Sequence, residues 1–265
     1  MRGREPLAGF PPRSLMLKVE NLTKVYDDGT VALRDVSFEV PEGQFLAIIG
    51  LSGSGKSTLL RCINRLIDPT EGRILWKGQD ITAANHEDLR NIRRRIGMVF
   101  QHFNLVHRSK VITNVLAGRL GYTSPALSVV NRFSRKDREQ AIASLQRVGL
   151  AEKADNRSED LSGGQQQRVG IARALMQDPE MILADEPVAS LDPVLAHSIM
   201  QYLEAINRDD GVTVLCSLHF LDLVHRYGQR VIALNEGRKV FEGLPAAIDD
   251  EMFKAIYGRE AERVG

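Results

Sequence analysis

Gly50-Leu51-Ser52-Gly53-Ser54-Gly55-Lys56-Ser57-Thr58 is the stretch from which the rest of the chain can be read. Its spacing is G-x-x-x-x-G-K-[ST], that of a phosphate-binding P-loop. Phe45 to Ile49, just before it, is a short unbroken apolar run, the pattern of a strand buried on both faces. After it, Leu59, Leu60, Ile63, Leu66 and Ile67 recur at helical spacing, which predicts a helix closed by Pro69. Strand, glycine loop and helix N-terminus in that order make an anion site, because backbone N–H groups and the positive end of the helix dipole converge there. Gly50, Gly53 and Gly55 let the backbone turn tightly and approach a ligand. In such a loop the lysine, Lys56, reaches the β/γ-phosphates, and the Ser57 hydroxyl holds Mg²⁺.

The 265 residues suit one large domain or a domain with an insertion. Lys+Arg 35 against Asp+Glu 34 is nearly neutral, unlike the basic footprint of a nucleic-acid surface, so no nucleic-acid partner is expected. The apolar runs fall short of the roughly 18 residues that a membrane helix needs. Residues 1–14 carry Arg2, Arg4 and Arg13 without an apolar core, and Pro6, Pro11 and Pro12 interrupt them; a disordered tail is expected there, not a secretory signal. Cys62 and Cys216 lie in apolar settings and read as buried small hydrophobes of a reducing compartment.

Outward from the loop, Leu17 and Val19, then Val36, Phe38 and Val40, alternate with polar residues as half-buried strands do, with a turn at Asp28-Gly29. Tyr26 lies between them; an aromatic here can stack on a base, or be an ordinary strand residue. Downstream, Arg73 to Lys77 predicts a strand, and Arg93-Arg94-Arg95 reads as a solvated helix face or a phosphate patch. Ile96 to Phe100 predicts another strand with Gln101 at its end, where ligands of parallel α/β sheets gather, so Gln101 can reach a metal or a water, or be a plain loop residue. From His102 to about Asp160 the pattern is helical, with Val111, Val115 and Leu116 as one stripe and Ala141, Leu145 and Val148 as another. Gly121 to Arg138 reads as a basic loop between them.

Leu161-Ser162-Gly163-Gly164-Gln165-Gln166-Gln167-Arg168 comes next, with Ser162 and Gln165 in a capping-box pattern at the start of an apolar-faced helix. Met181 to Ala184 is an apolar run ending in Asp185-Glu186-Pro187. A carboxylate pair at the end of a buried strand suits Mg²⁺ at Asp185 and polarisation of an attacking water by Glu186. Val212 to Ser217 predicts a further buried strand with His219 just past its end. Arg230 to Leu234 and Arg238 to Glu242 flank Asn235-Glu236-Gly237 as a hairpin. A last helix is expected over Ala246 to about Tyr257.

Taken together, Gly50–Thr58, Gln101, Leu161–Arg168, Met181–Glu186 and His219, in that order, resemble the ATP-binding subunits of ABC transporters over about Leu15 to Gly258. The resemblance implies an α/β fold. Its P-loop NTPase (RecA-like) core with an N-terminal antiparallel β subdomain would occupy 15–100 and 169–245. An inserted α-helical subdomain would occupy 101–168, with a C-terminal helix and tail over 246–265. It also implies a head-to-tail homodimer with two ATP molecules, each between one subunit's P-loop and the Ser162-Gly163-Gly164 of the other, with Gln165 alongside. Gly50, Ser52, Gly53, Ser54, Gly55, Lys56, Ser57 and Thr58 would line ATP, with Tyr26 stacking on adenine. Gln101 would sense Mg²⁺ and the permease, Asp192 would lie in the D-loop, and His219 would contact the γ-phosphate, acting with Lys56, Gln101 and Glu186 in hydrolysis. Mg²⁺ would sit at Ser57, Gln101 and Asp185.

Arg61 to Leu66, Gly118 to Gly121 and Leu218 to Leu223 are similar to the phosphonate-importer ATPases, although Phe220 stands where a polar residue commonly follows the switch histidine. That likeness implies uptake of phosphonate, phosphite or phosphate, with membrane permease subunits, an extracytoplasmic solute-binding protein acting indirectly, and a place on the cytoplasmic face of the membrane. The solute could also be an amino acid or a metal. A non-transport ABC ATPase is disfavoured by a single P-loop and no long heptad run, and a P-loop kinase by the LSGGQ sequence. Phe103, Leu105 and Val106, beside Gln101, either fill the core of the helical insertion or line an apolar groove for a permease helix.

Overall fold

The computed structural model describes residues 14–122 and 133–257. Residues 1–13 of the expected tail and residues 123–132 of the expected loop from Gly121 to Arg138 therefore lie outside the described residues. Two sheets organise the chain. An antiparallel sheet runs in the order β2-β1-β4-β5, from β1 (Leu15–Val25), β2 (Val31–Pro41), β4 (Glu71–Trp76) and β5 (Gln79–Asp80). The second has the order β10-β9-β3-β8-β7-β6. It comprises β3 (Phe45–Ile49), β6 (Ile96–Val99), β7 (Met181–Ala184), β8 (Thr213–Ser217), β9 (Arg230–Asn235) and β10 (Arg238–Gly243). All its neighbours are parallel except the β9–β10 hairpin.

Alternation along β3 divides the interior. Phe45, Ala47 and Ile49 enter one apolar cluster, and Leu46 and Ile48 the other, because successive strand side chains point to opposite faces. On the Leu46 side lie the antiparallel sheet, α1 (Lys56–Ile63) and α2 (His86–Arg93). On the Phe45 side lie α3 (Val111–Leu116), α4 (Arg135–Arg147), α5 (Gly163–Leu175), α6 (Pro193–Asp210) and α7 (Leu221–Tyr227). Each fully buried aliphatic side chain here contributes about 1.5–3 kcal/mol. Local signals start the helices. Asn85 caps α2, Ser134 caps α4 in a capping box with Asp137, and Asp192 caps α6 ahead of Pro193.

Four expectations need correction. The P-loop helix does not run to Pro69. It stops at Ile63; Arg65 is left-handed at φ 48°, and Leu66 is 50% exposed. Its end is met by Arg93, which is neither a solvated face nor a phosphate patch. The Arg93 Nε donates to the Asn64 carbonyl at 3.0 Å and its Nη2 to that of Arg65, satisfying carbonyls that a helix end leaves unpaired. The final helix, α8 (Asp250–Tyr257), starts later than expected, after a short 3-10 turn at Pro245–Ala247. Leu105 is 7% exposed and belongs to the Phe45-side cluster, so it fills the core and is no groove residue, whereas Val106 is 64% exposed. Both cysteines are buried and free, and burial pushes the Cys62 thiol up to about 12 and the Cys216 thiol higher still.

Candidate functional site

The carboxyl ends of β3, β6, β7 and β8 bring four distant pieces of sequence to one edge. Register does this: Ile48 lies opposite Ser217, Ala184 opposite Cys216, and Val99 opposite Ala184. Past those pairs come the loop at 50–55, Gln101, Asp185-Glu186 and His219. The Asp185 N–H donates to the Val99 carbonyl at 2.9 Å, which sets the start of the Gln101 loop beside the carboxylate pair.

The glycine loop is tightly packed. A Cβ on Gly50, whose φ is +145°, would lie 2.2 Å from the Leu234 carbonyl oxygen, and one on Gly55, at +103°, would lie 2.4 Å from that of Ala32. A side chain at either position would collide with backbone, so glycine is required. Ser52 is exposed; Ser54 is buried, and its hydroxyl has no hydrogen-bond partner among the described residues. Lys56, 3% exposed, folds over the loop. Its Nζ donates to the carbonyls of Gly50 at 2.9 Å and Leu51 at 3.0 Å and lies 3.5 Å from Glu186 Oε1. Burial holds its pKa below the ordinary lysine value, and the charges of Glu186 and Asp185 oppose that shift.

Ser57 Oγ donates to Asp185 Oδ1 at 2.7 Å. Asp185 is buried, and its Oδ2 lies 3.4 Å from the Arg61 guanidinium. A hydroxyl and a carboxylate side by side are hard oxygen donors of the kind a divalent cation takes. Glu186 is left-handed at φ 48°, its N–H donates to Ser217 Oγ at 2.8 Å, and its Oε1 is 2.6 Å from His219 Nε2. The carboxylate thus sits between an imidazole and a buried ammonium. Gln101 is half-buried, two residues past the end of β6.

Tyr26 lies one residue beyond β1 and is 36% exposed. Its Oη is 3.1 Å from Thr58 Oγ1, and the Lys24 ammonium lies 5.4 Å from its ring centroid. The ring is tied to the P-loop helix at Thr58 and lies outside the strand core.

The Ser162 segment is not joined to this cluster. Ser162 and Gln165 complete their capping box with each other, and among the described residues neither bonds the P-loop or the carboxylates. Gly164 packs on Leu195, where a Cβ would come within 3.1 Å, and Gly163 faces Leu191 and Phe103. Asp192 accepts from the N–H groups of Val194 and Leu195, both at 3.0 Å. Sequence reasoning missed Ser217 and Arg61 at the site. Both are polar residues within apolar stretches, and only that polarity could have flagged them.

Residues 33–189 match the ABC transporter family. The phosphonates import ATP-binding protein PhnC of Bdellovibrio bacteriovorus is 52% identical over 250 residues, spanning 94% of this chain and 96% of that protein. The protein of the same description from Staphylococcus haemolyticus is 50% identical, spanning 92% and 95%. Among solved structures, a dimeric ATP-binding cassette in a post-hydrolysis state bound to ADP and Pi superposes with a TM-score of 0.77 at 37% identity, over 87% of this chain and 99% of that one. A nucleotide-free cassette superposes with a TM-score of 0.78 at 32% identity, over 91% and 94%.

Proposed function

The chain belongs to the ABC transporter family, and from that premise we propose that it is the ATP-hydrolysing subunit of an importer for phosphonate or a related phosphorus oxyanion. It binds ATP, dimerises and works with membrane permease subunits. Among the described residues no helix is long and apolar enough to cross a membrane. The subunit acts at the cytoplasmic face of the membrane, and an extracytoplasmic solute-binding protein delivers the solute to the permease.

The observation that carries the catalytic reading is the contiguous set Ser57–Asp185 and Lys56–Glu186–His219 at one sheet edge. The loop N–H groups and Lys56 hold the β/γ-phosphates. Ser57 and Asp185, with Gln101, would hold Mg²⁺, which when bound would neutralise charge developing on the phosphate oxygens. Glu186 Oε1 accepts the proton of the attacking water, and His219, now 2.6 Å from that oxygen, turns its Nε2 toward the γ-phosphate. Tyr26 stacks on adenine. Ser162, Gly163 and Gly164 act on the ATP of the opposite subunit, a reading supported by their separation from their own P-loop.

Two experiments test this. In a mixed dimer, one subunit carries Lys56→Ala and the other Ser162→Arg. Both lesions then fall on one composite site, and nucleotide counting should find one ATP per dimer; two equally impaired sites would mean that Ser162 serves its own subunit. For the solute, ATPase activity of the assembled transporter should rise with its binding protein loaded with phosphonate, phosphite or phosphate. Stimulation confined to an amino acid or a metal would overturn the solute class and leave the ATPase reading intact.

A further inference from the structure

Phe103 and Asn104, two and three residues after Gln101, both hold left-handed backbone, at φ 57° and 49°. That conformation is unfavourable for Phe103 and milder for Asn104, since asparagine tolerates it better than other residues with a side chain, and two such residues in succession persist only where the surroundings hold them. Inside the turn the Asn104 N–H donates to the His102 carbonyl at 2.5 Å, and the Phe103 ring packs on the Phe45-side cluster; the carbonyls of the two left-handed residues are held by one side chain. Arg173 Nη1 donates to the Asn104 carbonyl at 2.5 Å and Nη2 to that of Phe103 at 2.8 Å. The planar fork of a guanidinium suits two adjacent acceptors in a way an ammonium does not. Its carbon lies 6.0 Å from the ring centroid of Phe100, which precedes Gln101. Burial lowers the pKa of Arg173, and among the described residues no carboxylate pairs with it, so its charge is directed at these two carbonyls.

Arg173 stands on α5, the helix that begins at Ser162-Gly163-Gly164. The Gln101 loop meets that helix a second time at its first turn, where a Cβ on Gly163 would lie 3.7 Å from the Phe103 ring. The loop is therefore attached to α5 near both ends. We infer that Arg173 is a positioning residue for Gln101, clamping the Phe103 and Asn104 carbonyls so that the left-handed turn fixes Gln101 at the end of β6 and ties it to the helix that carries Ser162 and Gly163. The inference rests on the reading of Gln101 as part of the nucleotide edge.

The test uses the full chain with ATP and Mg²⁺. Arg173→Met removes the fork and keeps an apolar stem; Arg173→Lys keeps the charge without the fork. Asn104→Gly lifts the steric penalty at one of the two left-handed residues, so the turn no longer depends as heavily on the clamp. The readouts are kcat and KM per folded molecule, nucleotide affinity by fluorescence titration, and thermal melts. Arg173→Met should lower kcat about tenfold or more while nucleotide affinity stays within about twofold. Arg173→Lys should act in the same direction, and adding Asn104→Gly to it should recover at least about half of the lost kcat. A lower melting temperature with unchanged kcat in both Arg173 variants would reduce Arg173 to a packing residue and overturn the inference. No recovery in the double variant would do the same. If Arg173→Met does not fold, Arg173→Lys and its double variant decide. Gln101→Ala separates the two levels: unchanged kcat there overturns the reading of Gln101 and the clamp with it, whereas a loss there without loss in the Arg173 variants overturns the clamp alone.

Discussion

Replacing Ser217 by alanine deletes one oxygen at the end of β8, and the contacts of that oxygen set the size of the effect. The side chain is fully buried, and Oγ is the acceptor for the N–H of Glu186 at 2.8 Å; it also lies 3.4 Å from Asp185 Oδ1. Glu186 needs that acceptor more than most residues do, because its backbone is left-handed at φ 48°. A buried donor left without its acceptor costs about 1–3 kcal/mol. If Ser217 holds the conformer that aims the Glu186 carboxylate, the loss is felt as a smaller population of that conformer. At about 1.4 kcal/mol per factor of ten, kcat should fall by roughly 5- to 100-fold. Nucleotide affinity should stay within about twofold, because Ser217 touches neither the glycine loop nor Lys56. The same loss should lower Tm by roughly 2–12 °C, at about 2–4 °C per kcal/mol for a chain of this size. The assay pairs steady-state hydrolysis per folded molecule with a thermal melt and a nucleotide titration. A lower Tm with unchanged kcat would show that the hydroxyl supports the fold and does not aim Glu186. An unchanged Tm would show that the hydrogen bond contributes nothing net, and would refute the reasoning at its first step.

Glu186→Gln keeps the shape and removes the basic oxygen; kcat should drop by about 10²–10⁴, and chromatography with ATP should show an ATP-bound dimer, normal turnover being the contrary result. Gly50→Ala places a methyl 2.2 Å from the Leu234 carbonyl, so nucleotide binding should be lost; an unchanged affinity by titration would contradict the loop geometry. Leu105→Ser should destabilise the free subunit by about 2–5 kcal/mol. Val106→Ser, at a position 64% exposed, should leave the melt unchanged while weakening assembly with the permease, and equal melts for the two would contradict the core placement of Leu105. Tyr26→Phe keeps the ring and loses the Thr58 contact, so nucleotide affinity should fall by about 0.5–1.5 kcal/mol. Tyr26→Ala should cost more, and equal losses would speak against stacking.

What the sequence by itself determined here is local. The P-loop, the Ser162–Gln165 capping box, the Asp28-Gly29 turn and the hairpin around Asn235-Glu236-Gly237 are each specified by residues a few positions apart. Short-range hydrogen bonds and backbone preferences suffice to read such units. The apolar runs of β6, β7 and β8 were legible for the same reason, and their ends located Gln101, Asp185, Glu186 and His219 at one edge. Tertiary structure decided the rest. α1 ends at Ile63 because Arg93, 29 positions from Asn64, caps its carbonyls, and no periodicity within α1 carries that information. Leu105 and Val106 are adjacent and equally apolar, yet one is core and the other surface, because only Leu105 is taken into the Phe45-side cluster when the helices close over it. Ser217 reaches Glu186 across 31 positions, and Arg173 reaches Phe103 across 70. Both contacts exist only once the strand order β3-β8-β7-β6 and the seating of α5 have brought those segments together. A hydrogen bond acts over about 3 Å in space, and only the folded arrangement determines which distant residues come that close.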